Sequence, residues 1–124
     1  MPRALIIDDE PGIRFALKRW FERQGYEVLE SGDGERALAQ LTGENTALDV
    51  IVCDLNLPGI SGEVLVQRLG VSHPELVDRV ILTTGEAIDD AAPGSLLAQH
   101  PYVLQKPFDL ASLKMIVERV VAGG

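Results

Sequence analysis

Five short runs of branched apolar residues recur along this chain, and each is followed by a stretch of helical periodicity; no other feature restricts the fold as much. The runs are Ala4 to Ile7, Glu27 to Glu30, Val50 to Cys53, Val80 to Thr83, and Val103 to Leu104 with its neighbours. After the first run, Ile13, Ala16, Leu17, Trp20 and Phe21 fall on one face of a helix starting near Pro11, a residue suited to a first turn. A second helix is expected from Gly34 to Leu41, capped by Asp33, with Ala37, Leu38 and Leu41 inward. A third follows the cap Ser61 and should bury Gly62, Leu65, Val66 and Leu69. Pro93 and Gly94 break the region from Glu86 to Gln99, so a short or irregular helix is expected there, with Leu96 and Leu97 buried. The last helix starts at its cap Asp109 and lines up Leu110, Leu113, Val117, Val120 and Val121.

Alternating strands and helices imply a mainly parallel sheet covered on both faces, and strands that are apolar along their whole length agree with that burial. The fold class is therefore α/β, a three-layer sandwich. Right-handed crossovers between five such units make the order 2-1-3-4-5 of a flavodoxin-like sheet the natural choice. With 124 residues and no linker, repeat or low-complexity tract, one domain over residues 1–124 is expected. Met1 close to the first strand favours an amino-terminal or standalone unit, and Gly123-Gly124 reads as a linker or a truncation point.

A formal net charge of -8 argues against a nucleic-acid partner, whose affinity would rest on clustered Lys and Arg. The apolar runs are far too short to span a bilayer, and no cleavable apolar segment opens the chain, so a cytoplasmic protein without a membrane partner is expected. Cys53 stands alone inside an apolar run and reads as a buried thiol. His73 and His100 lack ligand spacing and read as surface or loop residues.

In a parallel sheet, residues just past the strands gather at one edge. This chain places Asp8, Asp9 and Glu10 after the first strand, Asp54 after the third, Thr84 after the fourth and Lys106 after the fifth. Asp8, Asp9 and Asp54 should meet where the strand order reverses, with Lys106 as the cation facing them. Crowded carboxylates demand a counter-ion, and Mg²⁺ takes one or two carboxylates together with phosphate oxygens. A carboxylate can itself attack phosphorus and form an aspartyl phosphate. Metal, nucleophile, lysine and threonine hydroxyl together make a phosphoryl-transfer site.

The runs Ile6-Ile7-Asp8-Asp9-Glu10, Val52 to Gly62 with Asp54-Leu55-Asn56-Leu57-Pro58-Gly59 inside it, Ile81-Leu82-Thr83-Thr84-Gly85, and Leu104-Gln105-Lys106-Pro107-Phe108 resemble the receiver domain of bacterial response regulators over essentially the whole chain. The resemblance implies a receiver domain of a two-component phosphorelay. Asp54 would accept a phosphoryl group from a histidine kinase or histidine phosphotransfer protein in a Mg²⁺-dependent reaction, then switch conformation to control an output domain or protein. It would assist its own phosphorylation and dephosphorylation without being an enzyme on other substrates. The metal shell would be Asp9, Asp54 and the backbone carbonyl of Asn56, with Asp8 reaching the ion through water. Thr84 is the better match to the switch hydroxyl because Gly85 follows it; Thr83 is the fallback. Lys106 would contact the phosphoryl group, and Lys106-Pro107 would be cis.

Asn56 and Glu86 match the pair associated with rapid self-dephosphorylation in the chemotaxis member of the family. Where the family carries an aromatic switch residue, three places before the lysine, this chain has Val103. Tyr102 lies one place earlier and on a strand points to the opposite face. An absent or altered ring flip is therefore expected, with signalling carried by the Thr84 to Gln99 segment. The chain would be a monomer or a weak phosphorylation-dependent dimer. Two rival chemistries fit less well. A haloacid-dehalogenase phosphatase needs an Asp where Asn56 stands, and in a flavodoxin-type loop Asp8-Asp9-Glu10 would repel the flavin phosphate.

Overall fold

The apolar runs form the strands of the computed structural model, which describes residues 1–43 and 47–123, and each strand keeps within one residue of its expected bounds. They are β1 (Arg3–Ile7), β2 (Glu27–Ser31), β3 (Val50–Asp54), β4 (Val80–Thr84) and β5 (Val103–Gln105). All pair in parallel, in the order β2-β1-β3-β4-β5. Gly124, at the end of the expected 1–124 unit, lies outside the described residues.

Side chains alternate across the sheet and feed two cores. Ala4, Ile6, Val50, Val52, Ile81 and Leu104 pack under α1 (Pro11–Arg23) and α6 (Leu110–Gly123). Leu5, Ile7, Ile51, Cys53, Val80 and Leu82 pack under α2 (Gly34–Thr42), α3 (Gly62–Ser72) and α4 (Pro74–Val77). The expected caps are made: Asp33 accepts from the Arg36 amide at 2.7 Å, Ser61 from that of Val64 at 3.2 Å, and Asp109 from that of Ser112 at 2.7 Å. Each satisfies a helix donor that would otherwise lack a partner. Between β4 and β5 the chain makes a single turn at Ile88–Asp90 and the four-residue helix α5 (Leu96–Gln99), in keeping with the broken pattern around Pro93 and Gly94.

Three expected helix-face residues are exposed, and Ile13, Trp20, Leu38 and Leu96 are only half-buried. Ala16 is exposed, and Leu110 and Val121 keep 59% and 49% of their surface. The inward stripe of α6 is Leu113, Ile116, Val117 and Val120, a strict 3.6-residue repeat that includes Ile116 and leaves Val121 a quarter turn away. Leu110, in the first turn, lines an open groove with Ile13, Pro107 and Phe108. Helix α4 was not expected, although Pro74 suits its first turn and Leu76 anchors it in the core. Cys53 is fully buried, which pushes its thiol pKa up. His100 is half-buried, with Nε2 2.5 Å from the Val80 carbonyl, and burial lowers its pKa.

Candidate functional site

The carboxyl ends of the strands bring the expected residues to one edge. Asp8, Asp54 and Lys106 continue the alternation of Ile6, Val52 and Leu104 and so share the α1/α6 side of the sheet. Asp8 and Asp54 are only 1% and 4% exposed. Two buried carboxylates side by side repel and lose hydration, so each needs compensation. Lys106 supplies it: Nζ lies 2.9 Å from Asp8 Oδ2, 2.9 Å from Asp54 Oδ2 and 3.5 Å from Glu10 Oε1. Backbone amides complete the set, Glu10 N donating to Asp8 Oδ1 at 2.9 Å and Asn56 N to Asp54 Oδ1 at 3.0 Å.

Burial raises the Asp8 pKa, and the Glu10 amide and Lys106 only partly oppose it. For Lys106 burial works the other way, but hydrogen bonds and charge attraction from Asp8 and Asp54 outweigh it and leave the ammonium pKa raised. The Lys106-Pro107 bond is cis.

A small cavity of about 250 Å³ opens above Asp54, lined by Asp9, Glu10, Asn56, Gly85 and Lys106 as well. Asp8, Asp9, Glu10 and Asp54 each offer an oxygen within 4.8 Å of the others. This all-oxygen, mostly anionic set fits a hard divalent cation. Asp8 already has both oxygens engaged, whereas Asp9 is exposed on the cavity. Glu10 joins the cluster although the expected metal set omits it; its place in the run Asp8-Asp9-Glu10 was the available signal.

Thr84 ends β4, where its Oγ1 accepts from the Glu86 amide at 3.0 Å and its carbonyl accepts from the Lys106 amide at 2.6 Å. The side chains of Asn56 and Glu86 are exposed at the rim of a neighbouring groove. Val103 and Tyr102 do divide between the two cores, Val103 toward Leu82 and Leu96 and Tyr102 toward α6. There Arg119 lies over the Tyr102 ring, 5.8 Å from its centre.

The loop carrying Asn56 is pinned from below by Gly62. A Cβ there would overlap the Asp54 carbonyl oxygen and come within 2.8 Å of Leu55 Cα, both backbone atoms with no room to yield. Gly62→Ala is therefore expected to cost about 1–3 kcal/mol of stability, as overpacking does elsewhere. Chemical denaturation would measure it, and a midpoint equal to that of the unaltered chain would refute it.

The family model described as the response regulator receiver domain matches residues 4–118. The chain is 29% identical over 117 residues to sporulation initiation phosphotransferase F of Bacillus subtilis, covering 94% of this chain and 91% of that one. It is 33% identical over 112 residues to the transcriptional regulatory protein PrrA of Mycobacterium leprae, covering 90% of this chain but 46% of that protein. The chain thus spans less than half the length of that relative. Among solved structures, the response regulator TrrA of Thermotoga maritima in complex with Mg²⁺-BeF superposes with a TM-score of 0.80 at 29% identity, covering 97% and 99% of the two chains. A complex of TrrA with the histidine kinase ThkA matches with a TM-score of 0.80 at 28% identity, covering 98% and 99%.

Proposed function

The chain belongs to the response regulator receiver domain family of two-component systems, and on that premise we propose that Asp54 is its phosphoacceptor and that the receiver unit takes in residues 1–124. The observation that carries this reading is the ammonium of Lys106 held 2.9 Å from both Asp8 and Asp54 at the sheet edge, beside a cavity open to a phosphodonor. The Asp54 carboxylate attacks phosphorus, the bond from phosphorus to the donor's imidazole nitrogen breaks, and that nitrogen leaves with the electron pair. Lys106 turns from the carboxylates to the charge arriving on the phosphoryl oxygens. Asp9, Asp54 and the Asn56 carbonyl would hold Mg²⁺, with Asp8 and Glu10 behind them. When bound, the ion supplies neutralising charge for those oxygens. A phosphoryl group on Asp54 after incubation with acetyl phosphate and Mg²⁺, located by peptide mass spectrometry, tests the reading; an unlabelled Asp54 would overturn it.

Thr84 is the switch hydroxyl in this reading. Phosphorylation would draw its Oγ1 from the Glu86 amide toward the phosphoryl group and so disturb residues 85–99, where short turns and exposed side chains imply low local stability. Tyr102, packed on the α6 side, takes no part in a ring flip, and Val103 follows the movement of the segment. Partners would be a histidine kinase or histidine phosphotransfer protein, as TrrA has in ThkA, and an output protein or domain. The acidic chain would bind no nucleic acid directly and work in the cytoplasm as a monomer or weak phosphorylation-dependent dimer. Among the described residues no helix is long and apolar enough to cross a membrane.

The phosphoryl state is expected to be short-lived, because the exposed polar chains of Asn56 and Glu86 can admit and orient water for attack on phosphorus. That attack releases inorganic phosphate and restores the Asp54 carboxylate. Replacing both residues with leucine should lengthen the phosphoryl lifetime roughly ten-fold or more. The decay of label after removal of the donor measures it, and an unchanged decay constant would count against the assignment.

A further inference from the structure

Strand β4 carries a hydroxyl that the reactions above do not use. Thr83 is fully buried, and its Oγ1 has no hydrogen-bond partner among the described residues. Two other threonines show how readily such a group is satisfied: Thr42 donates to the Leu38 carbonyl at 2.8 Å and Thr84 accepts from the Glu86 amide. Valine has nearly the shape of threonine without the hydroxyl, and a buried hydroxyl left unpaired is unfavourable. Its surroundings give the position a use. Thr83 is in register with Asp54 across β3 and β4 and with Leu104 across β4 and β5. It follows Ile81 on the face shared by Val52, Leu104 and hence Asp54. Neighbouring strands are about 4.8 Å apart, so a turn about the first side-chain torsion moves the hydroxyl over a distance that matters to Asp54. Lys106 lies two residues past Leu104 and extends across the β4 position to bring Nζ to Asp54 Oδ2.

We propose that Thr83 is a positioning residue for the phosphoacceptor, its hydroxyl donating to the Asp54 carboxyl group in place of Lys106 when the ammonium turns to the phosphoryl group. The inference rests on Asp54 as the acceptor. The hydroxyl makes and breaks no covalent bond. It keeps one Asp54 oxygen hydrogen-bonded and in place while the lysine is engaged elsewhere, and its orphaned state here belongs to the geometry in which Lys106 still holds Asp54. This role is separate from that of Thr84, which lies on the other face and already has a donor.

Thr83→Val and Thr83→Ser, made in the full chain, test it by two readouts. Thr83→Val is expected to melt at the same temperature as the unaltered chain or above it, since it removes an unpaired hydroxyl. Its phosphoryl uptake from acetyl phosphate and Mg²⁺ should nevertheless fall about ten-fold, the worth of one hydrogen bond. Thr83→Ser should restore uptake while melting lower, having lost a buried methyl. A purely structural side chain would make uptake follow melting temperature instead. Parental uptake by Thr83→Val, a lower melting temperature or failure to fold in that variant, or no recovery in Thr83→Ser would each overturn the proposal. If the unaltered chain takes up no phosphoryl group, the reading of Asp54 falls and the inference with it; parental uptake by Thr83→Val removes the inference alone.

Discussion

Asp54→Asn will take up no phosphoryl group under conditions that label the unaltered chain to completion, a fall of at least ~10⁴-fold of the kind seen when a nucleophile is removed. The side-chain amide keeps the shape of the carboxylate and can still accept from the Asn56 amide, but it is no nucleophile toward phosphorus. The change also removes one of two buried negative charges and leaves Lys106 paired with Asp8, so the fold should hold or gain stability. Loss of labelling with an intact melting transition is therefore expected, and EDTA should suppress labelling of the unaltered chain because the donor set fits a divalent ion. Peptide mapping decides the case. Label at Asp54-containing peptides of the variant, or undiminished labelling in EDTA, would sink the assignment; label moved to Asp8, Asp9 or Glu10 would name a different acceptor.

The edge proposed to carry this chemistry was legible in the sequence because each contributor directly follows a strand, and parallel strands must end together. The runs of branched apolar residues located β1 to β5, the period-3.6 patterns located α1, α2, α3 and α6, and the caps Asp33, Ser61 and Asp109 were read from residue type alone. What stayed hidden depends on tertiary geometry. An apolar residue one position off the stripe, as Val121 is, looks the same in one dimension as one on it, so Ile116 and Val121 exchanged places. The single turn of α4 is too short to show a period. Nothing in the run Leu82-Thr83-Thr84 says that one hydroxyl finds a backbone amide while the other, on Asp54's face, finds no partner among the described residues. The tight approach of Gly62 to the Asp54 backbone likewise appears only when the loop is closed on α3.

Lys106→Met should slow phosphoryl uptake about 10²-fold or more and, independently, make stability depend on acid pH and Mg²⁺ more strongly than the unaltered chain's does. The rate effect follows from losing a fixed cation where charge arrives on the phosphoryl oxygens. The stability effect follows from geometry: without Nζ, Asp8 and Asp54 face each other buried and uncompensated, and removing one partner from such a group costs about 3–5 kcal/mol when no relief is available. Two kinds of relief are available, and each sets a sign. Burial already raises the Asp8 pKa above 3.8, so the folded chain binds that proton more tightly than the unfolded one. Stability lost at neutral pH should therefore return as pH falls through the folded pKa and be fully recovered below the unfolded value. In the unaltered chain the raised Lys106 pKa works at the other end: its stabilisation is complete below 10.5 and is lost as pH rises through the still higher folded value. The gap between the two proteins should thus stay wide from neutrality to pH 10 and narrow as pH falls into the acid range. Mg²⁺ replaces one cation with another and should raise the melting temperature of Lys106→Met more than that of the unaltered chain. Thermal melts from pH 4 to 10, with and without Mg²⁺, check all of this. A variant as stable as its parent at pH 7 and indifferent to both pH and Mg²⁺ would mean that Lys106 is not what permits two carboxylates to lie buried at this edge.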